Sequence, residues 1–267
     1  MAVGMLIDSH CHLDFSDFDA DRDLIVNECA ALGIHHFIIP GTTAARFESL
    51  ISLARQTATF SFALGLHPYF MDEHEPAHLD QLEALLVTQN VCAVGEIGLD
   101  FYLPETNKAA QVDLFLAQLS LACQYQLPVI LHVRKAHDEM TKLLRDYRFS
   151  GGGIVHAFTG SVQQAERYIE LGFCLGLGGS ITYPRANKVR KMAAALPDTC
   201  IVLETDSPDM PLSGYQGQRN TPAQLVKVAQ QLAQLRGQSV DDIARFTTAN
   251  VERTLGINAI KKLPKEL

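Results

Sequence analysis

Long apolar runs are missing from this 267-residue sequence, and none approaches the roughly eighteen residues of a membrane-spanning helix. The first ten residues carry no basic segment followed by an apolar one, so no secretory signal is expected. Cysteine is sparse and unpaired. Cys11, Cys29, Cys92, Cys123, Cys174 and Cys200 form no CxxC motif, and reduced thiols packed as small hydrophobes are the expectation. No Pro/Ser/Gly-rich linker or charge block divides the chain, which is expected to form one domain over residues 1–267. Cations are the minority charge, with 22 Lys and Arg against 30 Asp and Glu and a net charge of −8. That balance argues against broad electrostatic capture of a nucleic-acid duplex, but not against a phosphate ester held by metal ions in a small pocket. A soluble cytoplasmic protein with no membrane association and no obligate protein partner is expected.

Hydrophobic residues make up 47% of the chain, enough for a large core. Short apolar runs predict strands at Met5–Asp8, His36–Pro40, Phe60–Leu66, Val91–Gly95, Pro128–His132, Gly153–Val155, Cys174–Gly178 and Ile201–Glu204. Helical patterns fall between them, at Asp21–Leu32, Ala44–Thr57, His78–Gln89, Lys108–Gln126, Lys135–Asp146, Val162–Leu171, Asn187–Leu196 and Pro222–Leu235. Two further helices, Val240–Phe246 and Ala249–Leu255, complete the pattern. Strand and helix alternating eight times point to an α/β protein, a (β/α)8 TIM barrel. A doubly wound open sheet is the competitor, but it would not gather the ends of strands 1, 4, 5, 6 and 8 around one point.

Those strand ends carry the chemistry. His10 and His12 alternate after the first strand, and Glu96 follows the fourth. His132 and His156 end the fifth and sixth, and Asp206 follows the eighth. Each alone has a bland reading: a chance histidine pair, a helix-cap glutamate, a satisfied core histidine. Converging on one face, imidazoles and carboxylates share one physical reason, a divalent metal ion. Glu96 can use both oxygens to bridge two ions. Cys11, between the two histidines, is expected to point to the opposite face. Asp206 is the candidate catalytic base, and Glu204 a candidate for orienting a ligand from behind. Candidate substrate contacts are His67, against a structural turn, and Arg134, against an ordinary surface ion pair. Gly176, Gly178 and Gly179 fall where barrels often expose backbone N–H groups to phosphate, though a tight turn explains them more simply. Asp72, His74, Glu75 and His78 read as a solvated loop.

Seven stretches, DSHCHLD (8–14), GLHP (65–68), VGEIGLDFY (94–102), PVILHVRKAHDE (128–139), IVHAFTGS (154–161), GGSITYPRANKVR (178–190) and LETDSPDMPLSGYQGQRNTP (203–222), run from end to end. Together they closely resemble the TatD family of metal-dependent deoxyribonucleases, among the amidohydrolase-like barrels, and the last two are most similar to its YjjV branch. The resemblance implies two divalent ions, zinc, manganese or magnesium. His10, His12, Glu96 and Asp206 would hold one, and Glu96, His132 and His156 the other. It further implies a metal-dependent phosphodiesterase, a 3′-5′ exonuclease type acting on DNA ends or short oligonucleotides through metal-activated water. Many members carry a YRGKRNEP-type segment where this chain has Tyr215 to Pro222, with fewer cations. Arg219 and Asn220 remain there as candidate phosphate contacts. Two alternatives remain: hydrolysis of a small amide, ester or lactone at the same site, and a metal-binding barrel without catalysis.

Overall fold

The structure, a computed structural model, describes residues 4–102 and 107–258. Eight parallel strands pair in chain order: β1 (Leu6–Asp8), β2 (Ile34–Pro40), β3 (Phe60–Leu64), β4 (Ala93–Asp100), β5 (Val129–Arg134), β6 (Gly153–Val155), β7 (Phe173–Leu177) and β8 (Ile201–Leu203). The seam between β8 and β1 closes through Ser9 N–H donating to Leu203 O at 2.9 Å and Asp206 N–H to His10 O at 2.9 Å. The expected barrel is therefore the observed one. Helices alternate with the strands: α1 (Arg22–Ala31), α2 (Phe47–Gln56), α3 (Ala77–Thr88), α4 (Lys108–Gln124), α5 (His137–Asp146), α6 (Val162–Glu170), α7 (Asn187–Ala195) and α8 (Leu225–Arg236), followed by α9 (Val240–Leu255).

Alternation along the strands sorts the side chains. Ile7, Ile38, Ala63, Ala93, Ile130, Ile154, Cys174 and Val202 form one buried cluster, with one residue from each strand. They are the inward layer of the barrel. Val251 and Leu255 of α9 join this cluster and plug the floor. Outward neighbours such as Val129, Leu131, Val155 and Leu175 pack with the helices in a second, larger cluster. Two residues beyond the inward layer, the period-2 pattern brings His132, His156 and Glu204 to the same inward face, at the carboxyl ends of their strands.

Most boundaries shift by a few residues from the sequence expectation, and three of the differences bear on the architecture. β4 runs four residues beyond Glu96, because the carboxylate sits inside the ladder and not past it. β3 stops at Leu64, since Gly65 to His67 turn away over the barrel mouth. The two expected C-terminal helices are one, α9. Its Thr247 hydroxyl donates to Ile243 O at 2.7 Å and its Thr248 hydroxyl to Met5 O at 2.7 Å. Both polar side chains thus find carbonyl acceptors without breaking the helix. No described helix is long and apolar enough to cross a membrane.

Candidate metal centre

The loops after β1 and β8 are stitched together before any ligand is considered. Asp8, fully buried, accepts the Thr205 hydroxyl at 2.6 Å and the Thr205 N–H at 3.0 Å. Burial pushes its carboxyl up to about 7, against these hydrogen bonds. His12 N–H donates to Ser207 O at 2.8 Å. The Asn220 amide donates to Thr205 O at 2.9 Å and to Asp209 O at 2.8 Å. This stitching holds Asp206 at φ +54°, a left-handed conformation costing about 1 kcal/mol that aims its carboxylate across the barrel mouth. Cys11 points away, fully buried in the outer core, as its position between two inward histidines requires.

Glu96 lies at the centre. Its Oε2 stands 3.1 Å from His10 Nε2 and 3.7 Å from His12 Nε2. Its Oε1 stands 2.9 Å from His67 Nε2, 3.1 Å from His132 Nδ1 and 2.8 Å from His156 Nε2. Asp206 Oδ1 closes the first side, 3.5 Å from His10 and 3.6 Å from His12. Five imidazoles and two carboxylates therefore meet, divided between the two oxygens of one glutamate. His10 contacts its neighbours without the alignment of a hydrogen bond, and both its ring nitrogens are buried and unpartnered among the described residues. An unpaired buried polar atom costs about 1–3 kcal/mol. The ligand atoms of His10, Glu96 and His156, and those of His10, His12 and Asp206, lie within 4.8 Å of one another, a spacing a cation would satisfy, so these residues fit a metal site.

Electrostatics agree. Burial pushes Asp206 up to about 7 and Glu204 up to about 8, with His156 opposing in each case. Burial lowers His10 to about 4. Burial also works against the His156 imidazolium, but Glu96, Asp206 and Glu204 surround it and push it up to about 10. Burial would raise Glu96, yet the facing imidazoles of His156, His67 and His10 hold it well below the usual carboxylate range. The donor set thus shares protons that a divalent cation would displace.

Behind the centre, carboxylates fix the rings. Asp100 Oδ2 is 3.0 Å from His132 Nε2, leaving Nδ1 for Glu96. Burial raises Asp100, but the hydrogen bonds from His132 and the Tyr102 N–H, with the charges of His132 and Arg134, together outweigh it and the carboxyl sits below its ordinary value. Asp100 was not singled out from the sequence, although it shares an apolar stretch with Glu96 four residues earlier. Glu204 lies 3.9 Å from His156 Nδ1 and accepts the Ala157 N–H at 2.5 Å. It fits only because residue 176 is glycine, where a Cβ would stand 2.0 Å from Glu204 Oε2. Gly176 therefore makes room for a carboxylate, and Gly179 begins a single 3-10 turn, Gly179–Thr182. His74, read from sequence as solvated, donates from Nε2 to His67 O at 2.8 Å, and so supports the turn that carries His67.

A cavity of about 1300 Å3 opens above the centre, reaching His132, His156 and Asp206. Arg134 lines it, its guanidinium 3.8 Å from the Tyr102 ring centroid. Arg219 is engaged elsewhere. Its guanidinium donates to Asp21 Oδ2 at 2.5 Å and sits over Phe18, tying the loop after β8 to the start of α1. Asn220 is buried and its amide is committed to the loop carbonyls described above.

A family model described as TatD related DNase matches residues 7–256. The chain is 44% identical over 246 residues to a protein of Escherichia coli K12 named uncharacterized metal-dependent hydrolase YjjV, covering 91% of this chain and 95% of that one. It is 32% identical over 259 residues to a protein of Erwinia amylovora named 3′-5′ ssDNA/RNA exonuclease TatD, covering 94% of this chain and 100% of that one. The crystal structure of YjjV, a TatD homologue from Escherichia coli K12, superposes with a TM-score of 0.92 at 41% identity, covering 95% of this chain and 98% of that one. With the family pattern running through every strand that contributes to the centre, this chain belongs to the TatD family of metal-dependent hydrolases.

Proposed function

We propose that this protein hydrolyses phosphodiester bonds at DNA ends or in short oligonucleotides, working from the 3′ end, with two divalent cations held by the cluster around Glu96. One observation carries the reading. Glu96 turns one oxygen to His10 and His12 and the other to His67, His132 and His156, the division expected of a carboxylate shared by two ions. His10, His12, Glu96 and Asp206 would hold one ion, and Glu96, His132 and His156 the other. His67 is within reach of the second set and joins it in this reading, in place of the substrate contact expected from sequence. Nitrogen-rich ligation favours zinc or manganese over magnesium. The relative from Erwinia amylovora supports a nucleic-acid substrate and the direction of attack.

Cations bound there supply Lewis acidity, lowering the pKa of water and offsetting charge on a phosphoryl group. The chain's own groups do the rest. Asp206, with 15% of its side chain exposed, takes the proton of the attacking water. Asp100 keeps His132 turned towards Glu96 through a hydrogen bond, and Glu204, 3.9 Å from His156 Nδ1, offers that ring an opposite charge from behind. Arg134, preorganised on Tyr102, offers a planar fork to a phosphate. Arg219 and Asn220 leave the substrate set, since their donors are already used.

Manganese-loaded protein should cleave a 5′-labelled single strand from its 3′ end and bis-p-nitrophenyl phosphate, and leave p-nitrophenyl esters and lactones untouched. Asp206→Asn should keep measurable bound manganese and lose kcat by about 10²–10⁴. Full turnover by that variant removes Asp206 as the base. Turnover of esters or lactones alone replaces phosphorus with carbon as the site of attack.

A further inference from the structure

The loop around residues 215–222 is poor in cations and its Arg219 is spent on Asp21, so a phosphate chain leaving the metal centre must find positive charge elsewhere. The cavity supplies it from its lining. Arg134 ends β5 and Lys135 follows it, and Lys188 and Lys191 project from α7. Lys188 and Lys191 are three residues apart, so they share one face of α7, while Met192 and Ala193 bury the other. All four cations are exposed, and none is in an ion pair among the described residues. Of the cavity's three acids, Asp138 is paired with Arg167 at 2.8 Å, Asp206 belongs to the candidate metal centre, and Glu139 alone is exposed and outside any ion pair among the described residues. In a chain of net charge −8, a cavity lining in which exposed cations outnumber the unpaired acids is a local inversion of the average.

We propose that Lys188 and Lys191 form a distal phosphate subsite which, with Arg134 and Lys135, makes this enzyme select single-stranded chains carrying more than one phosphodiester over single-phosphate substrates. The inference rests on the phosphodiesterase reading above and adds the residues that set chain-length preference. A single strand is favoured over bare polyphosphate by Tyr102. One face of its ring carries Arg134, yet the residue is 56% exposed, which leaves the other face for a base. Lys188 and Lys191 touch a remote part of the substrate, so they act on its binding and not on the bond broken.

The test is the double variant Lys188→Gln/Lys191→Gln in the full chain loaded with manganese. On a hexathymidylate strand its KM should rise of order tenfold at 0.1 M salt with kcat kept, so the ratio of oligonucleotide to bis-p-nitrophenyl phosphate kcat/KM falls by the same factor. Binding is read separately by anisotropy of a labelled, cleavage-resistant phosphorothioate hexathymidylate against salt. Losing two contacts should reduce the log–log slope by about 1.4, at roughly 0.7 per phosphate on a single strand. An unchanged slope and KM overturn the subsite, as does an equal loss on both substrates or a wild-type protein that binds no strand. If wild-type protein binds the strand with the lysine-dependent slope but cleaves no phosphodiester, the reaction assignment fails and the subsite stands.

Discussion

At the scale of single residues, the centre depends on carboxylates that touch no substrate. Asp100 fixes the ring of His132 by one hydrogen bond of 3.0 Å, which leaves Nδ1 directed at Glu96. Asp100→Asn should keep the fold and weaken divalent-cation affinity by about 10–100-fold, measured by calorimetric titration of metal-stripped protein. An affinity equal to wild type means that packing alone orients the ring. The histidines and carboxylates that gather around Glu96 were legible in the sequence because each ends or follows an apolar run, and charged groups there need a partner. Asp100 was not, because its role depends on β4 continuing past a buried charge, and a glutamate inside an apolar run reads as the end of a strand. The intramolecular partners of Arg219 and Asn220 were hidden for a different reason. Donor-bearing residues in a mouth loop look available until the distant acceptors, Asp21 and the Thr205 and Asp209 carbonyls, are known.

At the scale of elements, the barrel separates duties by height. Inward residues of the mid-strand layer are Ile, Ala, Val and Cys, with a buried His36–Ser61 pair below them, while those at the carboxyl ends of β5, β6 and β8 are His and Glu. The eight strands were visible as apolar runs, but the floor was not. Nothing in the local pattern of Val240–Leu255 says that Val251 and Leu255 enter the barrel and not its outer surface, since that is decided by which end of the barrel the chain reaches. The two threonines broke the apolar period and split one helix into two expected ones. Leu255→Ala should lower stability by about 2–4 kcal/mol through the cavity left in the floor, measured by urea unfolding. Metal content and turnover per folded molecule should stay within twofold of wild type. A matching loss of bound metal would mean that the floor and mouth are coupled.

At the scale of the whole molecule, the metal centre works against the fold unless a cation is bound. Asp206 at about 7 and Glu204 at about 8 lie above their ordinary values of 3.8 and 4.5, so the folded metal-free chain holds protons that the unfolded chain has released. Stability from these groups is present at low pH and is lost as pH rises through those values. His156, held up at about 10, acts in the same direction above its ordinary 6.5. His10, depressed to about 4, acts oppositely, but only between 4 and 6.5. The clean window is therefore pH 6.5 to 8. In metal-stripped protein the thermal midpoint should fall across it, each coupled group contributing at most about 1.4 kcal/mol per pH unit. At about 2–4 °C per kcal/mol for a chain of this size, the change is several degrees. Saturating manganese should reverse the trend, because deprotonated carboxylates are the form that binds, so the metal-induced rise in midpoint grows with pH. Glu204→Gln should flatten the metal-free slope by removing one of the titrating groups. Melts in chelator and in manganese at pH 6.5, 7.2 and 8 would read all three effects. A metal-free midpoint that rises across the window would mean that the buried acids are already ionised, with their charge balanced by the surrounding imidazoles and not by a missing cation.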